Sequence, residues 1–258
     1  PFPPDSLIDF SISYYEKTED KVKLCDAYYY KAFHLINKRN YTEAVLFCKK
    51  AEKLANQINS SYHQMKVVSS IAYINEMCGN YDIQLLYARK ALEYAMKMKK
   101  KNWMVSSYSR IGEAYQFIGN IDSAIVYADK VIENKKDINI EDLPYYLNCA
   151  GYAYIKRDPE KAKALFKESL SYKCLTKTLE NLAYIYHKEG NEEEAYELWK
   201  QALLLGDDVP QDKILYNILH YNLTHYNIDD ACKQLYSMVS IKDSLNNVLK
   251  DRTIQNIQ

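Results

Sequence analysis

Six segments of the sequence repeat one pattern, in which a short polar turn is followed by three core-type positions at fixed spacing. In "GNEEEAYELWKQA" these positions are Ala195, Trp199 and Ala202. Residues four and three apart lie on one face of a helix, so each segment predicts a helix that packs through this face. The first positions are Ala44, Gln84, Ala124, Ala162, Ala195 and Ala231, at steps of 40, 40, 38, 33 and 36 residues. Such a period predicts an array of similar units.

A second pattern precedes each turn and predicts another helix. In "SSYSRIGEAYQFIGN", Tyr108, Ile111, Gly112 and Tyr115 share one helical face, and Gly112 lets a neighbouring helix come close. Only six glycines and six prolines occur in 258 residues, so the helices are expected to be long and their connections short. Each unit is therefore predicted to be a helix, a short turn and a second helix.

These two patterns resemble the tetratricopeptide repeat family over residues 25–245. The resemblance implies an all-α fold, a right-handed superhelix of about six helix–turn–helix repeats with long second helices. The repeats are expected to start near residues 25, 65, 105, 143, 176 and 212. Residues 1–24 would be a helix of a truncated preceding repeat, and 246–258 a C-terminal helix extension leading to a missing downstream region. Gln84 departs from the pattern, because it occupies a position that is otherwise small.

Eight residues are expected to hold neighbouring helices together at their crossing points. Most are alanine or glycine, which allow two helices to approach closely, and one is the bulky tryptophan of the fifth repeat. They are Ala44, Gly112, Ala124, Ala162, Ala195, Trp199, Ala202 and Ala231.

The charge balance and the motif content argue against several other functions. With 34 basic and 34 acidic residues the formal net charge is zero, which argues against direct nucleic-acid binding by this segment. Six cysteines occur singly, without a CxxC pair, and are expected to be free, buried thiols. The sequence contains no phosphate-binding glycine motif and no HExxH. No cofactor, metal site or catalytic residue is therefore expected, and the chain is predicted not to be an enzyme.

Tyrosine is unusually frequent, with 26 residues in the chain. Many tyrosines occupy packing positions, but other aromatic residues lie on the first helices, rotated off the packing face. In the family that the chain resembles, that side lines a concave groove. The predicted groove residues, with two polar neighbours, are Tyr29, Phe33, Tyr73, Tyr154, Tyr184, Tyr216, His187 and Gln116. Because tyrosine is favoured at recognition surfaces, the groove is expected to bind a protein or an extended peptide. The alternative is that these tyrosines merely line a compact inner face.

The C-terminal stretch "SIKDSLNNVLKDRTIQNIQ" carries a second resemblance. Asp243 and Ser244 in "IKDSL" are similar to the end of the sensory region of Bacteroidetes-type membrane-anchored regulators. That likeness implies a sensor or scaffold segment of a larger signalling or transcription-regulating protein, anchored to a membrane only through missing regions. It favours a periplasmic or envelope-anchored location, with the cytoplasm as the alternative.

A rival function is a response-regulator phosphatase-like or allosteric helical-repeat protein. Such a protein needs a catalytic side chain, commonly Gln or Glu, directed at an aspartyl-phosphate. Glu76, Glu113 and Gln116 are candidates by their position on the groove side of the first helices.

Overall fold

The computed structural model describes residues 5–205, 211–225, 228–233 and 235–236, and these ranges consist of helices joined by short connections. The α-helices with defined bounds are α1 (Asp5–Thr18), α2 (Lys21–Asn37), α3 (Tyr41–Gln57), α4 (Ser61–Met77), α5 (Tyr81–Lys97), α6 (Lys101–Ile118), α7 (Ile121–Glu133), α8 (Leu143–Tyr154), α9 (Pro159–Tyr172), α10 (Thr176–Lys188), α11 (Glu192–Leu205) and α12 (Asp212–Thr224). A 3₁₀ helix, Lys135–Asp137, follows α7. No strand occurs in the described ranges, so the predicted all-α helical-repeat fold is confirmed.

Six of the turns between the described helices share one geometry, which explains why short connections suffice there. Each of these six places one residue in the left-handed region, with φ between 49° and 91°, at Arg39, Asn59, Gly79, Lys99, Gly119 and Gly190. The next backbone N–H then bonds a carbonyl five residues earlier, as Asn120 N–H does to Tyr115 O at 2.9 Å. The Asn120 side chain also accepts the backbone N–H of Ser123 at 3.0 Å and so caps the following helix. One residue thus ends a helix and its neighbour starts the next.

The chain divides into two compact units, residues 1–156 (unit 1) and 157–258 (unit 2). In unit 1, α2 packs against α3, α4 against α5, and α6 against α7, and in unit 2 α10 packs against α11. The division lies between α8 and α9, the two helices that the sequence pattern assigns to the fourth repeat. The hand of the superhelix and the repeat boundaries stay predictions, and the proposed extension at 246–258 lies outside the described residues.

The helix-packing positions are buried within each unit. Ala44, Ala124, Ala162, Ala195 and Ala202 have no exposed surface, and Ala231 and Trp199 have almost none. At Gly112 an added Cβ would lie 3.3 Å from the Tyr127 Cβ, closer than side chains normally pack, so a larger residue there requires Tyr127 to shift by a few tenths of an ångström where α6 crosses α7. The second helices differ in length: α3 and α5 have 17 residues each, whereas α7, α9 and α11 have 13 or 14.

The six cysteines were expected to be free, buried thiols. All six are free, but only Cys25 and Cys48 are buried, whereas Cys78, Cys174 and Cys232 are exposed. Cys78 follows the last residue of α4, and Cys174 lies in the connection between α9 and α10. None of the described helices is both long enough and apolar enough to cross a membrane.

Candidate functional site

A pocket with a volume of about 590 Å³ lies in unit 1. The first helices of three successive repeats, α2, α4 and α6, form its walls. Because these helices occupy equivalent places in their repeats, they present equivalent faces to the pocket. The lining residues are Tyr29, Phe33, Ile36, Asn37, Tyr62, Met65, Lys66, Ser69, Ser70, Tyr73, Trp103, Ser106 and Arg110.

Five aromatic rings dominate the wall of this pocket. The centroids of Tyr62 and Trp103 are 5.6 Å apart, which joins α4 to α6, and those of Tyr29 and Phe33 on α2 are 6.5 Å apart. Burial raises the pKa of both Tyr29 and Tyr73 further above neutral pH, and a protonated tyrosine hydroxyl donates as well as accepts hydrogen bonds. The wall therefore combines large apolar surfaces with a few polar tips.

Two cations lie among these rings, and each is paired with a carboxylate. The Lys66 ammonium is 4.0 Å from the Tyr29 ring centroid and 3.8 Å from an oxygen of Asp26. The Arg110 guanidinium forms an ion pair with Glu76 and lies 5.5 Å from the centre of the Tyr73 ring. The pairing leaves the pocket without a strong net charge, so its main attraction for a ligand is apolar contact.

Gln84, the residue that breaks the small-residue pattern, holds the Glu76–Arg110 pair in place. Its side chain has no exposed surface, and its Nε2 donates to Glu76 Oε2 and to the Arg110 carbonyl, each at 3.3 Å. Burial raises the pKa of Glu76, and Arg110 opposes that shift. The departure was visible in the sequence, but its role requires knowing that Glu76 and Arg110 come together beside it.

The structure separates the predicted groove residues into three groups. Tyr29, Phe33 and Tyr73 line the unit 1 pocket, whereas His187 and Tyr216 line a second pocket in unit 2. Tyr184 is exposed, and Gln116 is partly buried and lines neither of these pockets.

Tyr154 requires a correction, because it is only 5% exposed. Its hydroxyl donates to an Asp129 carboxylate oxygen on α7, and it lines neither pocket. It is the last residue of the short helix α8, where the partly buried Asp129 side chain of α7 provides a partner. Tyr154 is therefore a packing residue rather than a groove residue.

Sequence reasoning missed Tyr62, Lys66 and Trp103 in the unit 1 pocket. A usable signal existed, because Tyr62 and Trp103 are 41 residues apart, nearly one repeat period, and both are aromatic. Both lie in the first turn of their helix, ahead of the segments in which the packing pattern is strongest.

The second pocket, in unit 2, has a volume of about 210 Å³ and lies among α10, α11 and α12. Its lining residues are His187, Glu192, Trp199, Tyr216, Asn217, His220 and Tyr221. His187 Nδ1 lies 2.8 Å from Glu192 Oε2, and the rings of His187 and Trp199 have centroids 5.7 Å apart. No group of three or more His, Cys, Asp or Glu residues in the described part of the chain could hold a metal ion.

Comparison with known proteins identifies the repeats. The family model described as tetratricopeptide repeat matches residues 105–138 and 176–205, the second of which covers α10 and α11. No curated protein matches the chain.

Several solved structures are similar to this one. The apo quorum sensor NprR from B. thuringiensis shares 15% identity, with a TM-score of 0.67, over 88% of this chain and 69% of that chain. The apo form of RapI shares 18%, with a TM-score of 0.65, over 86% of each chain. A signal transduction ATPase with a tetratricopeptide repeat sensor from Pyrococcus horikoshii shares 19%, with a TM-score of 0.67, over 94% of this chain and 42% of that chain. The family model thus identifies tetratricopeptide repeats at residues 105–138 and 176–205, and the similar structures share the helical-repeat fold of this chain.

Proposed function

We propose that the chain is a non-catalytic recognition module that binds an extended segment of a partner protein at the unit 1 pocket. The observation that carries this proposal is the group of five aromatic rings, from three successive first helices, around a cavity of about 590 Å³. A cavity of this size and lining accepts a bulky apolar or aromatic side chain. Because Lys66 and Arg110 are already paired with carboxylates, the anchor side chain is expected to be uncharged.

Polar groups on the same wall suit the backbone of such a segment. Asn37, Ser69 and Ser106 lie among the rings, where their side chains can exchange hydrogen bonds with peptide N–H and C=O groups. The two ends of a bound segment would then extend along the inner faces of α2 and α6. This arrangement favours a ligand groove over the alternative in which the tyrosines merely line a compact face.

The wider role that we propose is a sensor or scaffold segment of a larger signalling or transcription-regulating protein. Support comes from similar structures, one of which is a quorum sensor and another a signal transduction ATPase with a tetratricopeptide repeat sensor. The likeness to Bacteroidetes-type regulators rests on Asp243 and Ser244, which lie outside the described residues. That likeness, an envelope location and anchoring through missing regions stay part of the proposal.

The phosphatase-like alternative is less well supported. Glu76, its first candidate, is bonded to Arg110 and Gln84, so its carboxylate serves to hold Arg110. Gln116 lines neither the unit 1 pocket nor the α10–α12 pocket, and Glu113 lines only a cavity of about 10 Å³ among α6, α7 and α8.

The test is a peptide-library selection on the full chain, followed by calorimetric titration of the selected peptide. We expect Tyr62→Ala and Tyr73→Ala each to weaken binding by about tenfold or more, as truncation of an anchor contact does. Tyr172→Ala is the matched control, since Tyr62 and Tyr172 are both 46% exposed but only Tyr62 lines the pocket. The proposal would be overturned if Tyr62→Ala and Tyr172→Ala weakened peptide binding equally, or if neither variant weakened it.

A further inference from the structure

The unit 2 pocket differs in chemistry from the unit 1 pocket, because its lining is mainly polar and contains no lysine or arginine. One carboxylate, Glu192, lies in the wall together with two histidines, one asparagine and three larger aromatic side chains. A volume of about 210 Å³ is enough for one side chain.

The wall of this pocket includes a hydrogen-bond donor that lacks an acceptor. Trp199 is 3% exposed, and its Nε1 has no hydrogen-bond partner among the described residues. An indole N–H can only donate, so the group that satisfies it must be an acceptor. The neighbouring His187 ring, whose side chain is over a third exposed, packs beside the indole with the ring centroids 5.7 Å apart. A ligand that bonds the buried nitrogen needs this exposed ring to rotate aside.

Other residues of the lining offer acceptors. His187 Nδ1 is 2.8 Å from Glu192 Oε2, which places a proton on Nδ1 and leaves Nε2 of the neutral ring as an acceptor. Glu192 has a second carboxylate oxygen that can also accept. A ligand that fits must therefore present a carbonyl toward Trp199 and N–H groups toward Glu192.

We propose that the unit 2 pocket binds a primary carboxamide, the side chain of a glutamine or asparagine in the partner segment. This inference rests on the proposed function, since it supplies a second anchor for the same partner. A carboxamide carries one carbonyl acceptor and two N–H donors, which match Trp199 and Glu192 respectively.

Charged side chains fit less well. A lysine or arginine has donors only and leaves the Trp199 N–H unpaired. An aspartate or glutamate meets the negative charges of Glu192 and of Glu193 beside it. Burial raises the pKa of Tyr221, and Glu193 and Glu192 add to this shift, so the surroundings oppose a further negative charge.

The test uses the two indole N–H signals of the ¹⁵N-labelled full chain, which contains only Trp103 and Trp199. The Trp103→Phe variant assigns the two signals. The probes are the N-acetyl N-methylamides of glutamine, glutamate and lysine, of which only the first carries a primary carboxamide. We expect the glutamine probe to move the Trp199 indole proton downfield and to bind at least about tenfold more tightly than the others. An unmoved Trp199 signal, or an equal or larger response to glutamate or lysine, would overturn the inference.

Two variants with the same charge change provide a second readout. Glu192→Ala removes the acceptor in the wall, whereas Glu193→Ala truncates the next residue, which is exposed and does not line the pocket. We expect Glu192→Ala to weaken the glutamine probe by about tenfold and Glu193→Ala to leave it unchanged. Equal effects would mean that only general charge matters, which contradicts the inference.

These results separate this inference from the proposed function. If Tyr62→Ala loses peptide binding but the Trp199 signal does not respond to the glutamine probe, only the inference about the unit 2 pocket is contradicted. In the opposite case, the Trp199 signal would respond to the glutamine probe, but no selected peptide would lose affinity in Tyr62→Ala or Tyr73→Ala. That result would contradict the proposed function of the unit 1 pocket and still support carboxamide binding in unit 2.

Discussion

Trp199 shows what a single residue contributes in a repeat of small crossing residues. It is packed with Ala183, Ala195 and Ala202 in the core of unit 2, and it also forms part of the pocket wall. Three alanines bring the helices close, and one large ring fills the space that remains between them.

We expect Trp199→Ala to lower the free energy of unfolding by about 3–5 kcal/mol, because it removes a large buried side chain from a cluster that cannot collapse around the cavity. Ala195→Leu should cost about 1–3 kcal/mol by overpacking the same crossing. Urea denaturation followed by circular dichroism measures both. Leu204→Ala, on the same helix but 86% exposed, is the control and should change stability little. A Trp199→Ala protein as stable as wild type would show that the packing assignment is wrong.

A second residue-scale prediction concerns Glu180, which is nearly buried on α10. Burial alone would raise the pKa of its carboxyl, but Lys177 and Lys213, each 3.0 Å away, hold it below its usual value. A lowered pKa in the folded state means that the carboxylate stabilises the fold above its unfolded pKa of 4.5. That contribution is lost as the pH falls through the folded pKa.

Glu180→Gln should therefore lower stability at pH 7 by about 1 kcal/mol, since both lysines are largely exposed and screened. The difference from wild type should shrink as the pH falls below about 4. Unfolding curves across this pH range provide the measurement. A constant difference at all pH values would show that the carboxylate charge plays no part.

At the scale of elements, the left-handed turn residues decide where helices end. Gly119 has φ of 91°, and an added Cβ there would contact nothing within 4 Å, so a substitution acts on the backbone alone. Lys99 adopts φ of 55° at an equivalent turn without the freedom of glycine. Substitutions at these two positions can therefore measure the free-energy cost of a non-glycine residue in the left-handed region, once by introducing it and once by removing it.

Gly119→Ala should destabilise the protein by about 1 kcal/mol, because an L-residue in the left-handed region is strained. Lys99→Gly should stabilise it by less than about 1 kcal/mol, since relief of strain is partly offset by the greater entropy of glycine in the unfolded chain. Thermal and chemical unfolding of the two variants test this sign reversal. Effects of the same sign would contradict the strain argument.

Elements were more predictable than the site. Helices and turns follow from local spacing, as at Gly119 and Asn120, so the sequence predicted them well. The pocket depends on which side chains meet across helices. The helical face occupied by Tyr29, Phe33 and Tyr73 was enough to predict that they line the inner side. Tyr62 and Trp103 lie at helix starts, ahead of the segments where the spacing pattern is strongest, and were therefore not predicted. Tyr154 was misplaced because its acceptor, Asp129, belongs to another helix, and spacing along one helix cannot reveal such a partner.

At the scale of the whole molecule, stability is expected to be local. Each unit has its own buried cluster, and solenoid repeats gain most of their stability from neighbours. The boundary at Lys156 therefore defines a fragment that can be tested on its own.

We expect a fragment of residues 1–156 to keep the helical content per residue that these helices have in the full chain, measured by circular dichroism. It should also retain the peptide selected at the unit 1 pocket, because all residues of that pocket lie within it. A fragment that is unfolded would show that unit 1 depends on unit 2 for its stability.

The equal lengths of α2, α3, α4 and α5, 17 residues each, have a consequence for how the gene can change. Ala44, Gln84 and Ala124 are spaced by 40 residues, so an in-frame block of 40 codons encodes one helix pair with its turn. Copying or losing such a block leaves the flanking helices next to equivalent faces. Duplication or deletion of one such block in the gene would therefore widen or narrow the proposed recognition surface by one helix pair. The remaining helices would keep their packing partners.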